Sequence, residues 1–495
     1  MGILTIAMLG ALLQAAGSAT VEEQVTLPSF GTVAVYRPEP VQRIRGVILF
    51  VSGDGGWNLG VVEMARRAAP NALVVGLPMT AWRKRAERAT KQCWFPAGEL
   101  ETAAQAIEKI YKLPHYVSPI LVGYSSGATL VYAALAQAPA EAFAGGISLG
   151  FCPELEVARA VCPHGVWRPE YDAKKRRSVL PPRPDLAPRA DHAARWTALQ
   201  GTVDRVCDPG AVSRFGAQIP AARVVSLPKV GHGFSVTRNW GEAYDAAVEA
   251  LLEKAGMFEP IGGADLRAKL AQSPEEIRRR VEPLDLPLEI LWPEGAHDAV
   301  IFISGDGGWA ELDQQIAAAL AARGVAVVGW NTLRYFWTAR TPASFRADLG
   351  RLVGALPADV KLFLGGYSFG AEVAPVALEK TSPGESEGLD GLSRIAGLVL
   401  LAPGPYATFE VSPLDWVRTD ETPTSHPVRE AIEAGRGRPV LCIESAGTDD
   451  SGCPRTPVPG LTREVLPGGH HFAGDFNQIA ARILEFIGAV PDAAR

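Results

Sequence analysis

The sequence has few cysteines, no excess of positive charge and no long apolar run. Six cysteines in 495 residues exclude a disulfide-dense miniprotein. Lys and Arg total 48 against 54 Asp and Glu, a net charge of -6, which argues against nucleic acid as a partner. No apolar run reaches the roughly 18 residues that a membrane-spanning helix needs. With 47% hydrophobic and 21% charged residues, the composition is that of a large folded globular protein.

The N-terminus resembles an export signal. An apolar stretch over residues 3–13 is followed by small residues that end at Ala19, which predicts a signal peptide over residues 1–19. No Lys or Arg precedes the apolar stretch, so an N-terminal helix packed on the fold is the alternative. Export would place the cysteines in an oxidising compartment, where disulfides form.

The cysteines divide unequally between the two halves of the chain. Cys442 and Cys453 are the only cysteines of the C-terminal half, and we expect them to pair. The other four leave three connectivities open; they are Cys93, Cys152, Cys162 and Cys207.

Four motifs occur twice in the same order. They are Ser-Gly-Asp-Gly-Gly-Trp at 52–57 and 304–309, Gly-Tyr-Ser-x-Gly-Ala at 123–128 and 366–371, Gly-Thr-x-Asp at 201–204 and 447–450, and Gly-His-x-Phe at 231–234 and 469–472. Four ordered matches indicate a duplicated domain.

Between the motifs, short apolar runs alternate with helical patterns. In the second half we predict strands at 299–304, 325–330, 360–365 and 395–402, and helices at 311–323, 344–356 and 369–378. Such alternation is typical of a parallel sheet covered by helices on both faces. The sequence therefore predicts two tandem α/β-hydrolase-like domains, each a mostly parallel sheet flanked by helices. We place their bounds at 20–254 and 286–495, with a linker at 255–285 and a basic segment at 166–189 outside the first sheet.

Ser125 and Ser368 each lie in a Gly-x-Ser-x-Gly motif. Each motif follows an apolar strand and precedes a helix, which is the context of the nucleophile elbow. A serine hydroxyl needs a base to remove its proton and an acid to orient that base. In this fold the expected order along the chain is serine, acid, histidine.

Both halves contain that order. In the first half it is met by Ser125, Asp204 and His232. In the second half it is met by Ser368, Asp450 and His470, with Asp449 and His471 as the lesser candidates.

The remaining candidate residues would bind the substrate. We expect the oxyanion to be held by loop amides at Gly55 and Gly307 and by the amides after the serines, those of Ser126 and Phe369. Asp54 and Asp306 either hold the loop turn or face a cationic group of the substrate. Arg334 and Arg340, interleaved with aromatics, suit a phosphate beside acyl chains, although ordinary packing explains Phe336 and Trp337 equally well.

With these motifs and the segment Tyr-Phe-Trp-Thr-Ala-Arg-Thr-Pro at 335–342, the chain resembles the VirJ/AcvB family of bacterial virulence proteins. The resemblance implies a periplasmic hydrolase of aminoacyl-phosphatidylglycerol, such as the lysyl form, associated with virulence and type IV secretion. It assigns the favoured nucleophile, base and acid to Ser368, His470 and Asp450. Asp306 or Glu372 would then pair with the substrate ammonium.

The resemblance also sets the expected partners. They are a membrane phospholipid as substrate, with peripheral membrane contact, and proteins of a secretion system. No cofactor or metal is expected, because a serine triad cleaves an activated ester without one. Two alternatives are a non-catalytic periplasmic adaptor and a general carboxylesterase or lipase.

Overall fold

A computed structural model describes most of the chain. The described residues are 20–27, 30–39, 44–88, 93–138, 142–164, 167–186, 194–253, 274–379, 391–411, 424–435, 437–446, 450–467, 470, 472 and 476–491. The expected signal peptide at 1–19 and most of the expected linker therefore lie outside the described residues.

The first domain is built on one large sheet. The strands of this domain are β1 (Thr20–Leu27), β2 (Gly31–Pro38), β3 (Val47–Val51), β4 (Leu73–Leu77), β5 (Ile120–Tyr124), β6 (Gly145–Leu149), β7 (Glu154–Glu156), β8 (Glu170–Asp172), β9 (Arg177–Val179), β10 (Trp196–Gly201) and β11 (Ala222–Leu227). Eight of them form a sheet in the order β1-β2-β4-β3-β5-β6-β10-β11. The strands from β4 to β11 are parallel, while β2 is antiparallel to both of its neighbours.

Six α-helices are described in the first domain; five lie between its strands and the sixth follows the last strand. They are α1 (Leu59–Ala68), α2 (Met79–Arg88), α3 (Pro96–Ile110), α4 (Ser126–Gln137), α5 (Pro209–Gly216) and α6 (Gly241–Leu252). The central strands β3 and β4 are buried along their whole length, as expected for a parallel sheet with helices on both faces. The short strands β7, β9 and β8 form a separate sheet, which includes part of the basic 166–189 segment.

The second domain repeats this plan, and the described part of its large sheet has seven strands instead of eight. Its strands are β12 (Leu288–Leu291), β13 (Asp298–Ile303), β14 (Val325–Trp330), β15 (Lys361–Tyr367), β16 (Ile395–Leu401), β17 (Tyr406–Ala407), β18 (His426–Pro427), β19 (Val440–Ser445) and β20 (Leu461–Leu466). The large sheet has the order β12-β14-β13-β15-β16-β19-β20. Among the described strands of this large sheet, only β12 pairs in the antiparallel sense; β17 and β18 form a separate antiparallel pair.

The remaining helices belong to the linker and to the second domain. Helix α7 (Glu275–Val281) lies within the expected linker, and the second domain carries α8 (Glu311–Ala321), α9 (Thr332–Tyr335), α10 (Pro342–Ala355), α11 (Phe369–Ala377), α12 (Val428–Ala434) and α13 (Phe476–Ala489). The seven elements predicted for this half are confirmed, with ends that differ by at most two residues. Across the described part of the chain, no helix is both long enough and apolar enough to cross a membrane.

Both sheets follow the strand order of the α/β-hydrolase fold, in which the nucleophile stands between the fifth strand and the helix after it. Ser125 follows β5 and Ser368 follows β15, the equivalent strand of the second sheet. The chain therefore contains two α/β-hydrolase domains in tandem.

Three disulfides stabilise the two domains. Cys442 is bonded to Cys453, which confirms the expected pair. Among the four cysteines that the sequence left open, Cys93 is bonded to Cys162 and Cys152 to Cys207.

The two domains contact each other through α3 and the segment after it. The Trp337 indole of the second domain donates to the Leu113 carbonyl oxygen at 2.9 Å, and its ring lies 5.4 Å from the ring of Tyr116. The ammonium group of Lys109 lies over the same indole, bonded to the Trp337 carbonyl oxygen and to Glu410. Trp337 is 3% exposed, so the first domain completes its burial.

Candidate active site

Each candidate nucleophile lies at a strained turn between a strand and a helix. Ser125 has φ 56° and ψ -122°, and Ser368 has φ 50° and ψ -117°. A side chain other than glycine rarely adopts such angles, and this costs about 1–3 kcal/mol. The strain places each hydroxyl above the carboxyl edge of its sheet, as the nucleophile elbow requires.

The glycines of the two motifs allow this turn because strand and helix backbones touch there. A side chain at Gly123 would overlap the backbone of Gly127, and one at Gly127 would overlap the Val51 carbonyl. Gly366 and Gly370 meet the same obstruction in the second domain. The motif is thus a packing requirement as well as a chemical signature.

The structure brings the three residues of the first predicted triad together. His232 Nε2 lies 3.0 Å from Ser125 Oγ, and His232 Nδ1 lies 2.9 Å from Asp204 Oδ2. The Asp204 side chain is fully buried, whereas that of His232 is 18% exposed. A hydroxyl, an imidazole and a carboxylate in this sequence can transfer the serine proton to the histidine.

Asp204 is held by several donors besides His232. Its carboxylate accepts from the backbone amides of Val206 and Cys207 at 2.8 and 3.0 Å, and from the side-chain amide of Gln200 at 3.0 Å. The disulfide between Cys207 and Cys152 ties this loop to the segment after β6. The acid therefore has one orientation, which in turn fixes the imidazole.

In the second domain the structure brings the serine and the histidine together. His470 Nε2 lies 2.9 Å from Ser368 Oγ. Asp450, the predicted acid, is exposed, and no hydrogen bond joins it to His470 among the described residues. The lesser candidates Asp449 and His471 lie outside the described residues, so the acid of this site remains a prediction.

The glycine loop lies directly against the elbow in both domains. A side chain at Gly53 would meet Ser125 Cβ at 3.0 Å, and one at Gly305 would meet the Tyr367 ring at 3.1 Å. A hydrogen bond of 3.0 Å closes each turn, from Gly56 N to Gly53 O and from Gly308 N to Gly305 O. Loop amides are thus held beside each serine, where an oxyanion forms.

The predicted oxyanion donors differ in their contacts. Ser126 and Phe369 begin helices α4 and α11, so their amides have no partner within the helix. The amide of Gly307 donates to the Asp306 carboxylate at 3.1 Å. Gly55 lies in the corresponding turn of the first domain, and a side chain there would meet the Asn58 amide at 2.9 Å.

The loop aspartates have different surroundings in the two sites. Asp54 accepts from the Ser126 hydroxyl at 2.8 Å and pairs with Arg83 at 2.8 Å. Gly76 of β4 and Gly329 of β14 are equivalent positions of the repeat, because each faces the tryptophan of its own glycine loop. Arg83 follows Gly76 by the same number of residues as Phe336 follows Gly329, so Phe336 occupies the position of Arg83. The first site therefore supplies a cation to its aspartate from a position that is apolar in the second domain.

The second site instead receives a carboxylate from the other domain. Glu101 of α3 is half-buried, and a side chain added at Gly307 would lie 4.0 Å from its Oε1. Burial and the nearby charge of Asp306 raise the pKa of Glu101 to about 8. The same two causes raise the pKa of the buried Asp313 to about 8. Sequence reasoning missed Glu101 because no local pattern links α3 to the second domain.

Tyr124 and Tyr367, which precede the serines, are a second pair that sequence reasoning missed. The Tyr124 hydroxyl donates to the His232 carbonyl at 3.0 Å, and the Tyr367 hydroxyl donates to the His470 carbonyl at 3.1 Å. Burial raises the pKa of both hydroxyls. Their occurrence in both copies of Gly-Tyr-Ser was the available signal.

The aromatic and basic segment of the second domain is mostly packing. Tyr335, Phe336 and Trp337 are at most 3% exposed, in agreement with the packing alternative. Arg340 lies over the Tyr335 ring at 4.5 Å from its centroid, whereas Arg334 is exposed. Glu372, the other expected partner of an ammonium, accepts from the Gly404 amide at 3.0 Å.

One group of possible metal ligands occurs within the described ranges. The ligand atoms of Asp204, Cys207 and His232 lie within 4.8 Å of one another. Because Cys207 is in a disulfide and the other two bond each other, we interpret the group as a hydrogen-bonded triad rather than an ion site.

Several solved structures are similar to this chain. An α/β serine hydrolase without lid from Xanthomonas campestris is 21% identical, over 47% of this chain and 94% of that one, with a TM-score of 0.29. The esterase domain of a Rhodothermus marinus protein is 14% identical, over 48% and 100%, with a TM-score of 0.31. A dienelactone hydrolase from Anabaena variabilis is 14% identical, over 41% and 92%, with a TM-score of 0.29. The strand order and the geometry of the two elbows establish the fold.

The comparison with protein families concerns the second domain. Residues 298–490 match the family described as bacterial virulence protein (VirJ). No curated protein matches the chain. The matched range contains the glycine loop, Ser368 and His470, the motifs on which the resemblance depended. Over residues 298–490, the second domain is therefore similar to the VirJ family of bacterial virulence proteins.

Proposed function

We propose that this protein is a serine hydrolase that cleaves the aminoacyl ester of aminoacyl-phosphatidylglycerol, such as the lysyl form, in the periplasm. The observation that carries the hydrolase assignment is the pair of distances, 3.0 and 2.9 Å, that joins Ser125, His232 and Asp204. The second site repeats the serine–histidine contact at 2.9 Å. The VirJ match of the second domain supports this choice of substrate, so we assign cleavage of this lipid to Ser368.

The proposed reaction has two steps. The serine oxygen attacks the ester carbonyl carbon while the histidine takes the serine proton, and loop amides stabilise the negative oxygen that forms. The glycerol oxygen of phosphatidylglycerol then leaves with that proton, and the amino acid remains on the serine as an ester. Water, deprotonated by the same histidine, attacks this ester, and the free amino acid leaves as the serine regains its proton.

An aminoacyl ester carries an ammonium group beside the reacting carbonyl, and the second site has carboxylates to receive it. Asp306 precedes Gly307 in the loop beside the elbow, and Glu101 lies against that glycine. The charge of Asp306 favours a cation there, and a bound cation would in turn favour the ionised form of Glu101. We therefore propose Glu101, Asp306 and Glu372 as the residues that select an aminoacyl group, with Arg334 and Arg340 nearer the phosphate.

The proposed location is consistent with the disulfides. The described residues contain three disulfides and no free cysteine. Such bonds form in oxidising compartments, of which the bacterial periplasm is one.

Release of amino acid from lysyl- and alanyl-phosphatidylglycerol tests the proposal. Wild type, Ser125→Ala, Ser368→Ala and the double variant are compared, with a short-chain soluble ester as second substrate. We expect Ser368→Ala to lower amino-acid release by at least 1000-fold, as loss of a triad nucleophile does. Ser125→Ala should leave that release within a few-fold.

The other outcomes separate the alternatives. Release of fatty acid instead of amino acid identifies a general lipase. Activity on neither substrate by the folded wild type contradicts the hydrolase assignment and favours the adaptor. Replacement of Asp306, Glu372 or Glu101 by its amide tests the ammonium contact. Unchanged discrimination between lysyl-phosphatidylglycerol and an ester without an amine would exclude that residue from recognition.

A further inference from the structure

The rim of the first site exposes apolar side chains. Six large apolar residues are clearly exposed among the described ones: Phe95, Ile110, Val203, Val206, Val236 and Val465. Three of the six lie within four residues of Asp204 or His232 along the chain, with exposed fractions of 56% for Val203, 67% for Val206 and 44% for Val236. Single exposed apolar residues are ordinary, whereas a cluster at a functional site marks an interaction surface.

The three valines lie on two loops at the same edge of the sheet. Val203 and Val206 flank Asp204 in the loop after β10, and Val236 follows His232 in the loop after β11. Strands β10 and β11 are parallel neighbours, so both loops leave the sheet at the edge where Ser125 lies. We call Val203, Val206 and Val236 the valine rim.

The loops that carry the valine rim are held in place. The Val203 amide donates to the Val230 carbonyl at 3.1 Å, and the Lys229 amide donates to the Thr202 hydroxyl at 3.1 Å. The Val206 amide donates to Asp204 at 2.8 Å. These bonds keep the valines outward, because collapse onto the domain would break contacts that position the acid.

Positive charges accompany the valine rim. Arg205 lies between two of the valines, and Arg238 and Lys229 lie on the second loop; all three side chains are exposed. Besides the buried Asp204, the nearest acidic residue along the first loop is Asp208, which accepts from the Ala211 amide at the start of α5. On the second loop, the Thr237 hydroxyl donates to Glu63 of α1 at 2.9 Å. Exposed apolar side chains flanked by cations match an anionic bilayer, whose phosphates attract the cations and whose acyl region accepts the valines.

The second copy has different residues at the positions of the first rim loop. Its repeat of Gly-Thr-x-Asp reads Gly447-Thr448-Asp449-Asp450, followed by Ser451 and Gly452. An aspartate thus replaces Val203, a serine replaces Arg205 and a glycine replaces Val206. This combination of apolar and basic side chains therefore belongs to the first copy.

We infer that the valine rim, with Arg205, Lys229 and Arg238, is a docking surface for the anionic phospholipid bilayer. Docking there would turn the mouth of the Ser125 site toward the lipid headgroups and hold the second domain near the membrane. The inference goes beyond the proposed function, because binding does not require that the bilayer contain a substrate. It gives the first domain a role that is independent of its triad.

Co-sedimentation with vesicles tests the inference. The full chain with Ser125→Ala and Ser368→Ala is used, so that binding is measured without turnover and failure of the proposed hydrolysis has no effect on the result. We expect binding to vesicles of phosphatidylglycerol and phosphatidylcholine, and at least tenfold weaker binding to phosphatidylcholine alone. Adding Val203→Asp with Val206→Ser should weaken binding to the anionic vesicles at least tenfold, and Arg205→Glu with Lys229→Glu should do the same.

A matched control keeps the test specific. Val465 in β20 of the second domain is 50% exposed, and Val465→Asp should leave vesicle binding unchanged. Unfolding midpoints of all variants report whether they fold. Equal binding of the parent and both rim variants, an equal loss with Val465→Asp, or no vesicle binding by the parent would overturn the inference. The last result would point to a protein as the partner of this surface.

Discussion

In each site a tyrosine hydroxyl forms a hydrogen bond that helps to position the catalytic histidine. In both copies this hydroxyl bonds the backbone carbonyl of the histidine, at 3.0 and 3.1 Å. The ring also lies beside the imidazole, with centroids 5.9 Å apart in the first domain and 5.2 Å apart in the second. Tyr124 and Tyr367 are therefore positioning residues, which act through the histidine rather than on the substrate.

Removal of one hydroxyl should affect turnover more than binding. In the Ser368→Ala background, where only the first site can act, we expect Tyr124→Phe to lower kcat on a soluble ester about tenfold, the effect of roughly 1.4 kcal/mol, with KM changed less than twofold. Tyr367→Phe in the same background is the control and should leave both constants unchanged. A rise in KM without a fall in kcat would show that Tyr124 contacts the substrate instead.

The buried Asp313 makes stability depend on pH. It is 1% exposed, and burial together with the charge of Asp306 raises its pKa to about 8. The folded state therefore holds a proton between about pH 4 and 8 that the unfolded state has released. Under this linkage, the free energy of unfolding of the second domain falls as pH rises through that window.

Asp313→Asn should remove this contribution, because an amide does not titrate and can still accept from the Ala310 amide. Denaturation at pH 5, 7 and 9 measures it. We expect the wild type to lose more stability between pH 5 and 9 than the variant does, while the exposed Asp359→Asn follows the wild type. Parallel pH profiles for wild type and Asp313→Asn would mean that Asp313 is ionised throughout this range.

The sequence predicted the residues of the first triad because each is part of a repeated local motif. Ser125, Asp204 and His232 could be identified from order alone, since the fold fixes which strand precedes each of them. Glu101 could not be identified in this way, because its closeness to Gly307 depends on how the two domains pack. The ion pair between Asp54 and Arg83 could not be predicted either, since Arg83 lies on a helix whose direction the motif does not specify.

At the scale of elements, the loop after β10 combines the acid, two exposed valines and a disulfide. Cys207 anchors the end of this loop to Cys152, which follows β6. Closing a loop with a sequence separation of 55 stabilises a fold by about 4 kcal/mol in the chain-entropy model. The bond also holds the loop on which the orientation of Asp204 depends.

Replacing both cysteines by serine should therefore affect the first site more than the second. We expect Cys152→Ser with Cys207→Ser to lower the unfolding midpoint of the first domain and to reduce turnover by Ser125 several-fold at temperatures where the domain is folded. Cys93→Ser with Cys162→Ser removes a disulfide of similar separation, 69 residues, away from the acid. If the two double variants lose the same activity, the effect is one of stability alone.

Single strands and helices could be predicted where the hydrophobic pattern of the sequence matches the burial of the side chains in the structure. Strands such as β14 are apolar throughout and buried throughout, and their bounds could be read directly from the sequence. The small sheet of β7, β8 and β9 was not predicted, because its strands are three residues long and mostly polar. The disulfide connectivity of the first domain likewise required the three-dimensional positions of four cysteines.

At the scale of the whole molecule, Trp337 connects the two domains. Its indole donates to Leu113 and contacts Tyr116 and Lys109 of the first domain. Truncating a buried tryptophan costs about 3–5 kcal/mol, and here part of that cost falls on the interface.

Trp337→Ala should weaken the coupling between the domains. In calorimetry we expect it to lower the unfolding midpoint of the second domain and to separate the two unfolding transitions. Lys109→Ala should have a smaller effect in the same direction, because its ion pair with Glu410 is partly exposed and such pairs contribute little. Lys84→Ala, which removes an exposed lysine of α2, should leave both transitions unchanged. Equal midpoints for Trp337→Ala and wild type would mean that the interface does not stabilise either domain.

The position of Glu101 against Gly307 also affects how the two copies can diverge. Two copies carried by separate genes can diverge independently. In this chain a substitution on α3 also changes the surroundings of the Gly307 loop, so selection on the second site acts on the first domain as well. A single polypeptide keeps the two surfaces at a high effective concentration, so the contact persists with modest intrinsic affinity. A lineage that split the gene in two would have to recover that affinity between two diffusing proteins, and this favours inheritance of the halves as one unit.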